Sequence, residues 1–172
     1  MDKFQISEAT PQDFKSIQML MLNALQSDPT AFSSDYADYA QNSENWWQNY
    51  LYGYLTQTNA KLILAKQDGQ LRGMIGLLFE TKARRKHVAS IVWFYVEPNS
   101  RKFGTGKELF RIAIENIKTL NYIKKIALLV NAPQQKALNI YKEFGFTIVG
   151  TLKEELLINN QFIDEFVMEL YL

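Results

Sequence analysis

Apolar residues in the first third of the chain recur every three or four positions, which is the spacing of an amphipathic helix. One such series is Phe14, Ile17, Met21 and Leu25, and a second is Trp47, Tyr50, Leu51 and Tyr54. Thr10 can cap the first helix, because Pro11 suits its first position and Asp13 its third. The pattern therefore predicts two N-terminal helices, joined by a polar loop that contains a few aromatic residues.

The period changes to that of β-strands after Lys61. Residues 62–65 and 74–79 flank the turn signal Asp68-Gly69, and we expect them to form an antiparallel hairpin. Val88–Val96 is nearly apolar throughout, as expected of a strand that is covered on both faces in the middle of a sheet.

The second half of the chain alternates between helices and strands. Apolar residues at helical spacing follow the loop Gly104-Thr105-Gly106, namely Leu109, Phe110, Ala113, Ile114 and Ile117. Residues 126–130 predict a short buried strand, and a further helix is expected to begin at Asn131 and to end at Gly145. Two last strands, at about residues 155–158 and 162–170, flank the turn Asn159-Asn160. The expected fold class is α/β, with a mixed sheet and helices on both of its faces.

Composition narrows the possible functions. At 172 residues the chain has the size of one domain, which we expect to span residues 1–172. Nineteen basic and eighteen acidic residues nearly cancel, which disfavours binding to nucleic acid through many phosphates. The lack of cysteine and the single histidine argue against a thiolate nucleophile and against metal sites built from these residues. No secretory signal or membrane-length apolar run is evident, so we expect a cytoplasmic protein.

The most informative segment leads from the predicted buried strand into the next helix: Arg101-Lys102-Phe103-Gly104-Thr105-Gly106-Lys107. Glycines allow a tight turn, and the first amides of a helix are unpaired beside a positive dipole end, so this segment suits a phosphate. A nucleotide-triphosphatase loop would need Ser or Thr after its lysine, where this chain has Glu108. A dinucleotide fingerprint would need Gly or Ala three residues after Gly106, where this chain has Leu109.

Two segments resemble motifs of the GNAT superfamily of acetyl-CoA-dependent N-acetyltransferases. The loop from Arg101 to Gly106, preceded by Val96-Glu97-Pro98, matches the Arg/Gln-x-x-Gly-x-Gly/Ala pattern of that superfamily. The segment from Ala137 to Phe146 matches its Ala-x-x-x-Tyr-x-x-x-Gly-Phe pattern, with Tyr141 in the tyrosine position. The order of the predicted elements fits as well. The resemblance implies the GNAT acyltransferase fold, whose central sheet is mixed and mostly antiparallel.

The resemblance also implies a site for acetyl-CoA. The amides of the glycine loop would hold the pyrophosphate, a role that is carried over to Arg101, Lys102, Phe103, Gly104, Thr105, Gly106 and Lys107. The backbone of the preceding strand would pair with the pantetheine arm, which implicates Phe94, Tyr95 and Val96. Gln134 stands where the family often has an asparagine that contacts this arm.

Tyr141 would protonate the departing thiolate, a role that suits a phenol with a pKa of about 10. The alternative role for Tyr141 is packing, as the aromatic member of an apolar helix face that includes Ala137 and Phe144. Four aromatic residues of the second predicted helix are expected mainly to pack it in place, with one or two facing a cleft: Trp46, Trp47, Tyr50 and Tyr54.

The implied reaction transfers acetyl from acetyl-CoA to a primary amine of a small molecule or peptide. Direct attack is expected, because no cysteine is available to form a thioester intermediate. No general base is evident, since the ionisable candidates Glu80, His87 and Glu97 are more often solvated charges at strand ends. No metal is implied. A coenzyme-binding sensor or interaction module without catalysis is the alternative function, and a homodimer is compatible with either function.

Overall fold

In a computed structural model of the protein, which describes residues 4–56, 59–101 and 104–172, seven strands form one sheet. The strands are β1 (Gln5–Glu8), β2 (Ala60–Gln67), β3 (Gln70–Phe79), β4 (Val88–Val96), β5 (Lys125–Asn131), β6 (Thr147–Ile158) and β7 (Gln161–Tyr171). The helices are α1 (Phe14–Ser27), α2 (Tyr36–Ala40), α3 (Glu44–Thr56), α4 (Thr105–Lys118) and α5 (Gln135–Glu143). The strand order is β1-β2-β3-β4-β5-β7-β6. Only β4 and β5 pair in parallel among the described strands, which confirms the mixed, mostly antiparallel sheet.

Both predicted hairpins are present, with tight two-residue turns. Asp68 and Gly69 between β2 and β3 have φ angles of 51° and 73°, and Asn159 and Asn160 between β6 and β7 have 50° and 59°. Two consecutive residues with positive φ match the twist of the flanking strands, and Asp, Asn and Gly tolerate this conformation best.

The first helix begins as the sequence predicts. The Thr10 amide and hydroxyl both donate to Oδ2 of Asp13, at 2.9 and 2.8 Å. A single 3-10 turn, Pro11–Asp13, precedes α1. Local side-chain chemistry therefore sets the start of this helix, because capping involves residues only three positions apart.

Two short elements were not predicted. β1 is only four residues long and pairs with the edge of β2, so its sequence carries too little alternation to be recognised. α2 lies inside the predicted polar loop, where the Asp35 carboxylate accepts a hydrogen bond of 2.7 Å from the Ala37 amide.

Two predicted boundaries were wrong. Asn131 does not begin a helix: it ends β5, where it pairs with Glu165, and α5 starts at Gln135. β6 begins at Thr147, earlier than predicted, because its register with β7 stabilises a strand whose residues are mostly exposed and lack a clear apolar alternation.

Two apolar layers lie on opposite faces of the sheet, which confirms the predicted architecture. One layer packs α4 and α5 against the sheet around Phe110, Ile117 and Leu138, and the other packs α1 and α3 around Met21 and Trp47. Burial of each such side chain contributes about 1.5–3 kcal/mol to folding. Among the described residues, no helix is long and apolar enough to cross a membrane.

Candidate active site

β4 and β5 separate part-way along their length. The parallel ladder joins Val88, Ala89 and Ser90 to Lys125, Ile126 and Ala127 and then stops. On its other edge β4 has a register shift against β3, and Trp93 at this bulge has a φ angle of 51°. The edge of β4 that faces β5 therefore carries backbone groups outside the sheet ladder from Ile91 onwards.

A cleft of about 440 Å³ occupies the gap between the two strands. Its walls come from the segment after α1, from α2 and α3, and from the parts of β4, β5, β7 and α5 that lie beside the gap. The lining side chains used below are Phe32, Tyr39, Tyr50, Trp93, Phe94, Asn131, Tyr141 and Glu165.

The cleft opens towards both faces of the sheet. Phe166, Met168 and Leu170 of β7 pack in the layer of α4 and α5. Since side chains alternate along a strand, Glu165 and Val167 lie on the opposite face, the face of α1 and α3. Tyr141 belongs to the α5 side. The two faces therefore bring different side chains to one gap.

The glycine loop forms the start of α4, as predicted. Gly104 is the N-cap residue, with a φ angle of 78°, in the left-handed region that glycine adopts without strain. In the first backbone hydrogen bond of the helix, the Glu108 amide donates to the Gly104 carbonyl at 3.0 Å. The amides of Thr105, Gly106 and Lys107 precede that bond, and they are the groups that can hold an anion at a helix N-terminus.

Two basic side chains of this loop, those of Arg101 and Lys107, are paired with carboxylates. Nε of Arg101 donates to the Val96 carbonyl at 2.8 Å, and its terminal nitrogen Nη2 donates to the Asp28 carboxylate. Lys107 pairs with Glu143 at 2.6 Å on the exposed surface. Lys102 and Phe103 lie outside the described residues. The described loop therefore offers amides and a helix dipole to an anion more directly than it offers free cations.

The residues predicted to hold the pantetheine arm lie along the edge of the cleft. Phe94 lines it, whereas the side chains of Tyr95 and Val96 are buried, and the Tyr95 hydroxyl hydrogen-bonds Ser27 at 2.8 Å. Only backbone groups of Tyr95 and Val96 can therefore serve a ligand there. Gln134 donates to the Thr30 hydroxyl at 3.2 Å, so it ties the start of α5 to the segment after α1.

Tyr141 lies in the cleft wall on α5. Its ring packs 5.2 Å from Phe110 and 6.1 Å from Phe94, measured between centroids, so the predicted packing role is real. Its hydroxyl makes no hydrogen bond to any residue that the structure describes. Burial raises the pKa of this phenol above its ordinary value, which keeps it protonated at neutral pH. Tyr141 can therefore donate a proton or a hydrogen bond inside the cleft.

Glu165 is the carboxylate that sequence reasoning missed. It is 6% exposed, lies directly opposite Asn131 on β5, and makes no hydrogen bond within the described parts of the chain. Burial, with a smaller effect from Glu155, raises the pKa of its carboxyl group above the ordinary value. The available signal was an acidic residue in the alternating pattern of the last strand.

The three candidate bases named from the sequence do not line this cleft. Glu80 binds Arg85 and Glu97 binds Arg72, both at 2.8 Å, and His87 is exposed before β4. These residues lie at strand ends, as their sequence positions suggested.

Aromatic side chains form the wall on the α1 and α3 side. Nε1 of Trp93 donates to the Tyr50 hydroxyl at 2.7 Å, and the Tyr39 hydroxyl lies 3.3 Å from the same oxygen. Phe32 packs on Trp93, and Trp46 stacks on Tyr50 at centroid distances of 5.4 and 5.0 Å. Trp47 and Tyr54 are buried in the core, so one of the four predicted aromatic residues, Tyr50, lines the cleft.

Comparison with known proteins agrees with this geometry. The sequence model of the Acetyltransferase (GNAT) family matches residues 20–146. The L-amino acid N-acetyltransferase of Escherichia coli K12 is 29% identical over 126 residues, which are 73% of this chain and 75% of that one. The spermidine N(1)-acetyltransferase of the same organism is 26% identical over 95 residues, 55% of this chain and half of that one.

Solved structures share the whole fold. An acetyltransferase of the GNAT family from Streptococcus pneumoniae is 22% identical, covers 99% of each chain and superposes with a TM-score of 0.86. A GNAT superfamily phosphinothricin acetyltransferase from Sinorhizobium meliloti, solved in complex with acetyl-CoA, is 16% identical with a TM-score of 0.84, over 99% of this chain and 89% of that one. The overall fold of this chain is thus shared with these acetyltransferases. With the family match covering most of its length, the chain belongs to the GNAT family and is an acetyl-CoA-dependent N-acetyltransferase.

Proposed function

We propose that the protein transfers acetyl directly from acetyl-CoA to a primary amine of a small molecule or peptide, in the cleft between β4 and β5. One observation carries this proposal: the start of α4 lies against Phe94 at Gly106, and both Phe94 and Tyr141 line the gap between the parallel strands. A ligand whose phosphate is held at the start of α4 would therefore place its leaving group beside Tyr141.

The residues present suit acetyl-CoA, which supplies an acetyl thioester. The amides of Thr105, Gly106 and Lys107 would hold its pyrophosphate, with Gly104 allowing the turn. Backbone groups of Phe94, Tyr95 and Val96 other than the Val96 carbonyl, which already accepts from Arg101, would hydrogen-bond its amide-containing arm. By resemblance, Lys102, Phe103 and Gln134 complete this set. Arg101 would act on the coenzyme through the position of the loop, since its side chain is bound to Val96 and Asp28.

The acceptor must reach the cleft as a neutral amine. For an amine with a pKa of about 10.4, loss of the proton at pH 7 costs roughly 4.6 kcal/mol. A largely apolar cleft lowers that cost, because desolvation disfavours the ammonium form. As the new bond between nitrogen and the acetyl carbon forms and the carbon–sulfur bond breaks, Tyr141 donates its hydroxyl proton to sulfur. The phenolate regains a proton from the acetylated nitrogen through water.

A coenzyme-binding module without catalysis is the weaker candidate. Its main support was the lack of an evident base, and the buried Glu165 in the cleft removes that support. We also propose that residues 1–172 form one domain, because elements from both ends of the chain share one sheet. A homodimer stays a prediction that light scattering can test.

Acetyl transfer is tested by incubating the purified full chain with acetyl-CoA and single amines while free thiol is recorded. The panel comprises polyamines, amino acids, aminoglycosides and peptides with free N-termini. We expect thiol release that depends on one class of amine, together with an acetylated product in the mass spectrum. Saturable binding of acetyl-CoA without turnover on any amine would favour the module instead.

A further inference from the structure

The face of the cleft opposite Tyr141 has an unusual charge balance. It presents one carboxylate, Glu165, and several aromatic rings, and none of the described lining residues is Lys, Arg or His. Two cations on the bordering segments are already bound to carboxylates: Arg101 to Asp28, and Lys125 to Glu169 at 2.6 Å. This face can therefore stabilise a positive charge, and its described lining residues include no cationic side chain to pair with a negative one.

Glu165 has no hydrogen-bond or ion-pair partner among the residues that the structure describes. The residue is 6% exposed and lies opposite Asn131, whose side chain is neutral, in the pairing of β5 with β7. Its carboxylate makes no hydrogen bond to a described residue. The Asn131 amide nitrogen is itself committed to the Thr30 carbonyl, at 2.7 Å. No buried side-chain oxygen of the described residues lacks a hydrogen-bond partner, so the carboxylate oxygens of Glu165 are open to the cleft, where confinement favours pairing with a cation and a hydrogen-bond donor. An arriving ammonium group would supply both.

The aromatic wall borders the same space, on the face of the sheet that also carries Glu165. Phe32, Tyr39, Tyr50 and Trp93 line the cleft, and their mutual contacts hold the rings in place. Aromatic faces attract cations and also bury the alkyl or aryl body of an amine. Ring faces and a carboxylate together form the chemistry that recognises an organic ammonium ion.

We propose that this face is the acceptor site and that it takes a cationic amine without a carboxylate beside the reacting nitrogen, with Glu165 binding the ammonium and accepting its proton. The inference rests on the proposed acetyl transfer and specifies its substrate class. An α-amino acid is disfavoured, because its own carboxylate would enter a buried site next to Glu165 with no described cation to pair with it.

The proton balance is complete with these groups. The ammonium gives one proton to the Glu165 carboxylate, which leaves a neutral nitrogen for attack on the thioester. Tyr141 protonates the departing sulfur, and the second nitrogen proton restores the Tyr141 hydroxyl through water. Glu165 then releases its proton to solvent, so each turnover yields one acetylated amine, one thiol and one proton.

Matched pairs of acceptors test the substrate class on the full chain. Phenethylamine is compared with L-phenylalanine and L-phenylalaninamide, and 3-methylbutylamine with L-leucine, by thiol release at saturating acetyl-CoA. We expect kcat/KM for each amine to exceed that for its amino acid at least about tenfold, with the amide recovering most of the loss. Equal or better turnover of the free amino acids overturns the inference.

Variants then test Glu165 itself. Glu165→Gln should lower kcat/KM for the amine about 100-fold or more, the range of a general base, without changing the Kd for coenzyme A. The control Glu169→Gln lies on the same strand and face but does not line the cleft, and should change kcat/KM less than about threefold. An unchanged rate for Glu165→Gln overturns the role of Glu165.

The pH profile separates a base from a structural residue. With Glu165 intact, kcat/KM should fall as the pH drops through the raised pKa of this carboxyl group, because the protonated form cannot accept a proton. Glu155 on β6 is the other carboxylate near it, and Tyr39, Tyr50 and Tyr141 face it across the cleft. Phenols do not titrate in acid. The acidic limb should therefore vanish in Glu165→Gln and persist in Glu155→Gln; persistence in both overturns the assignment.

Equilibrium binding keeps the acceptor class testable if acetyl transfer itself fails. Phenethylamine titrated calorimetrically into the protein saturated with coenzyme A should bind more tightly than L-phenylalanine, and Glu165→Gln should abolish the difference. If the amine binds preferentially but no amine is acetylated, the proposed reaction is contradicted and the proposed acceptor site is supported. Equal binding of the two ligands would overturn the site.

Discussion

The guanidinium group of Arg101, in the turn between β4 and α4, binds the carboxylate of Asp28 at the end of α1. The same side chain donates to the Val96 carbonyl at 2.8 Å and lies 5.6 Å from the centroid of the Tyr95 ring. Arg101 therefore joins the glycine loop to the helix layer on the other face of the sheet. Its charge is used to position the loop.

This relationship predicts the effect of removing the acid. Asp28→Asn should weaken binding of coenzyme A about threefold to tenfold, because the loop loses a partly exposed ion pair worth on the order of 1 kcal/mol. Calorimetric titration of coenzyme A measures the change. The exposed Asp38→Asn is the control and should bind normally. Tighter binding by Asp28→Asn would show instead that the freed Arg101 contacts the phosphates.

Tyr141→Phe should lower kcat about 100-fold and leave the Kd of coenzyme A within about twofold, because only the proton donor is lost. Stability should change little, since the hydroxyl makes no hydrogen bond to any described residue and the ring keeps its contacts with Phe94 and Phe110. Steady-state thiol release, calorimetry and thermal unfolding measure these three quantities. Tyr122→Phe, at a residue 51% exposed, is the control. Unchanged kcat in Tyr141→Phe would leave Tyr141 with its packing role alone.

The two glycines of the loop should respond differently to alanine. Gly104 has a φ angle of 78°, so Gly104→Ala should lower the free energy of unfolding by about 1–2 kcal/mol and weaken coenzyme binding. Gly106 is helical, and an added Cβ would meet Phe94 at an ordinary contact distance of 3.4 Å. Gly106→Ala should therefore fold with equal or greater stability. Urea unfolding gives both values, and equal losses in the two variants would contradict the conformational explanation.

Asp13 should make stability depend on pH. Burial alone would raise the pKa of this carboxyl group, but hydrogen bonds from Lys66 and Thr10 overcome that effect and hold its pKa below the ordinary value. A depressed folded-state pKa contributes stability above the unfolded pKa, near 3.8, and that stability is lost as the pH falls through the folded pKa. Asp13→Asn should thus cost about 1–2 kcal/mol at pH 7 and progressively less as the pH falls below 3.8.

Thermal unfolding of the wild type and Asp13→Asn at several pH values checks this difference. Asp68→Asn is a matched control, because Asp68 is exposed in a turn whose positive φ suits asparagine equally well. A gap between Asp13→Asn and wild type that is as large at pH 3 as at pH 7 would contradict the carboxylate's role.

Features that depend on neighbours in the sequence could be predicted. The two hairpin turns, the Thr10 cap and the left-handed Gly104 at the start of α4 all follow from residues a few positions apart. Tyr141 was placed on a helix face because its spacing is helical. Short elements escaped, as β1 and α2 show, because four or five residues carry too little periodicity to outweigh a loop.

The sequence by itself determined the local conformations, the two apolar layers and the family, since each depends on spacing within one segment. Only the tertiary structure decided that the parallel strands β4 and β5 diverge after Ser90 and that Glu165 lies beside Asn131 at the gap. The tertiary structure also decided that the candidates Glu80 and Glu97 pair with arginines outside the cleft. Burial and pairing of a carboxylate depend on distant strands, and those contacts exist only once the sheet has assembled.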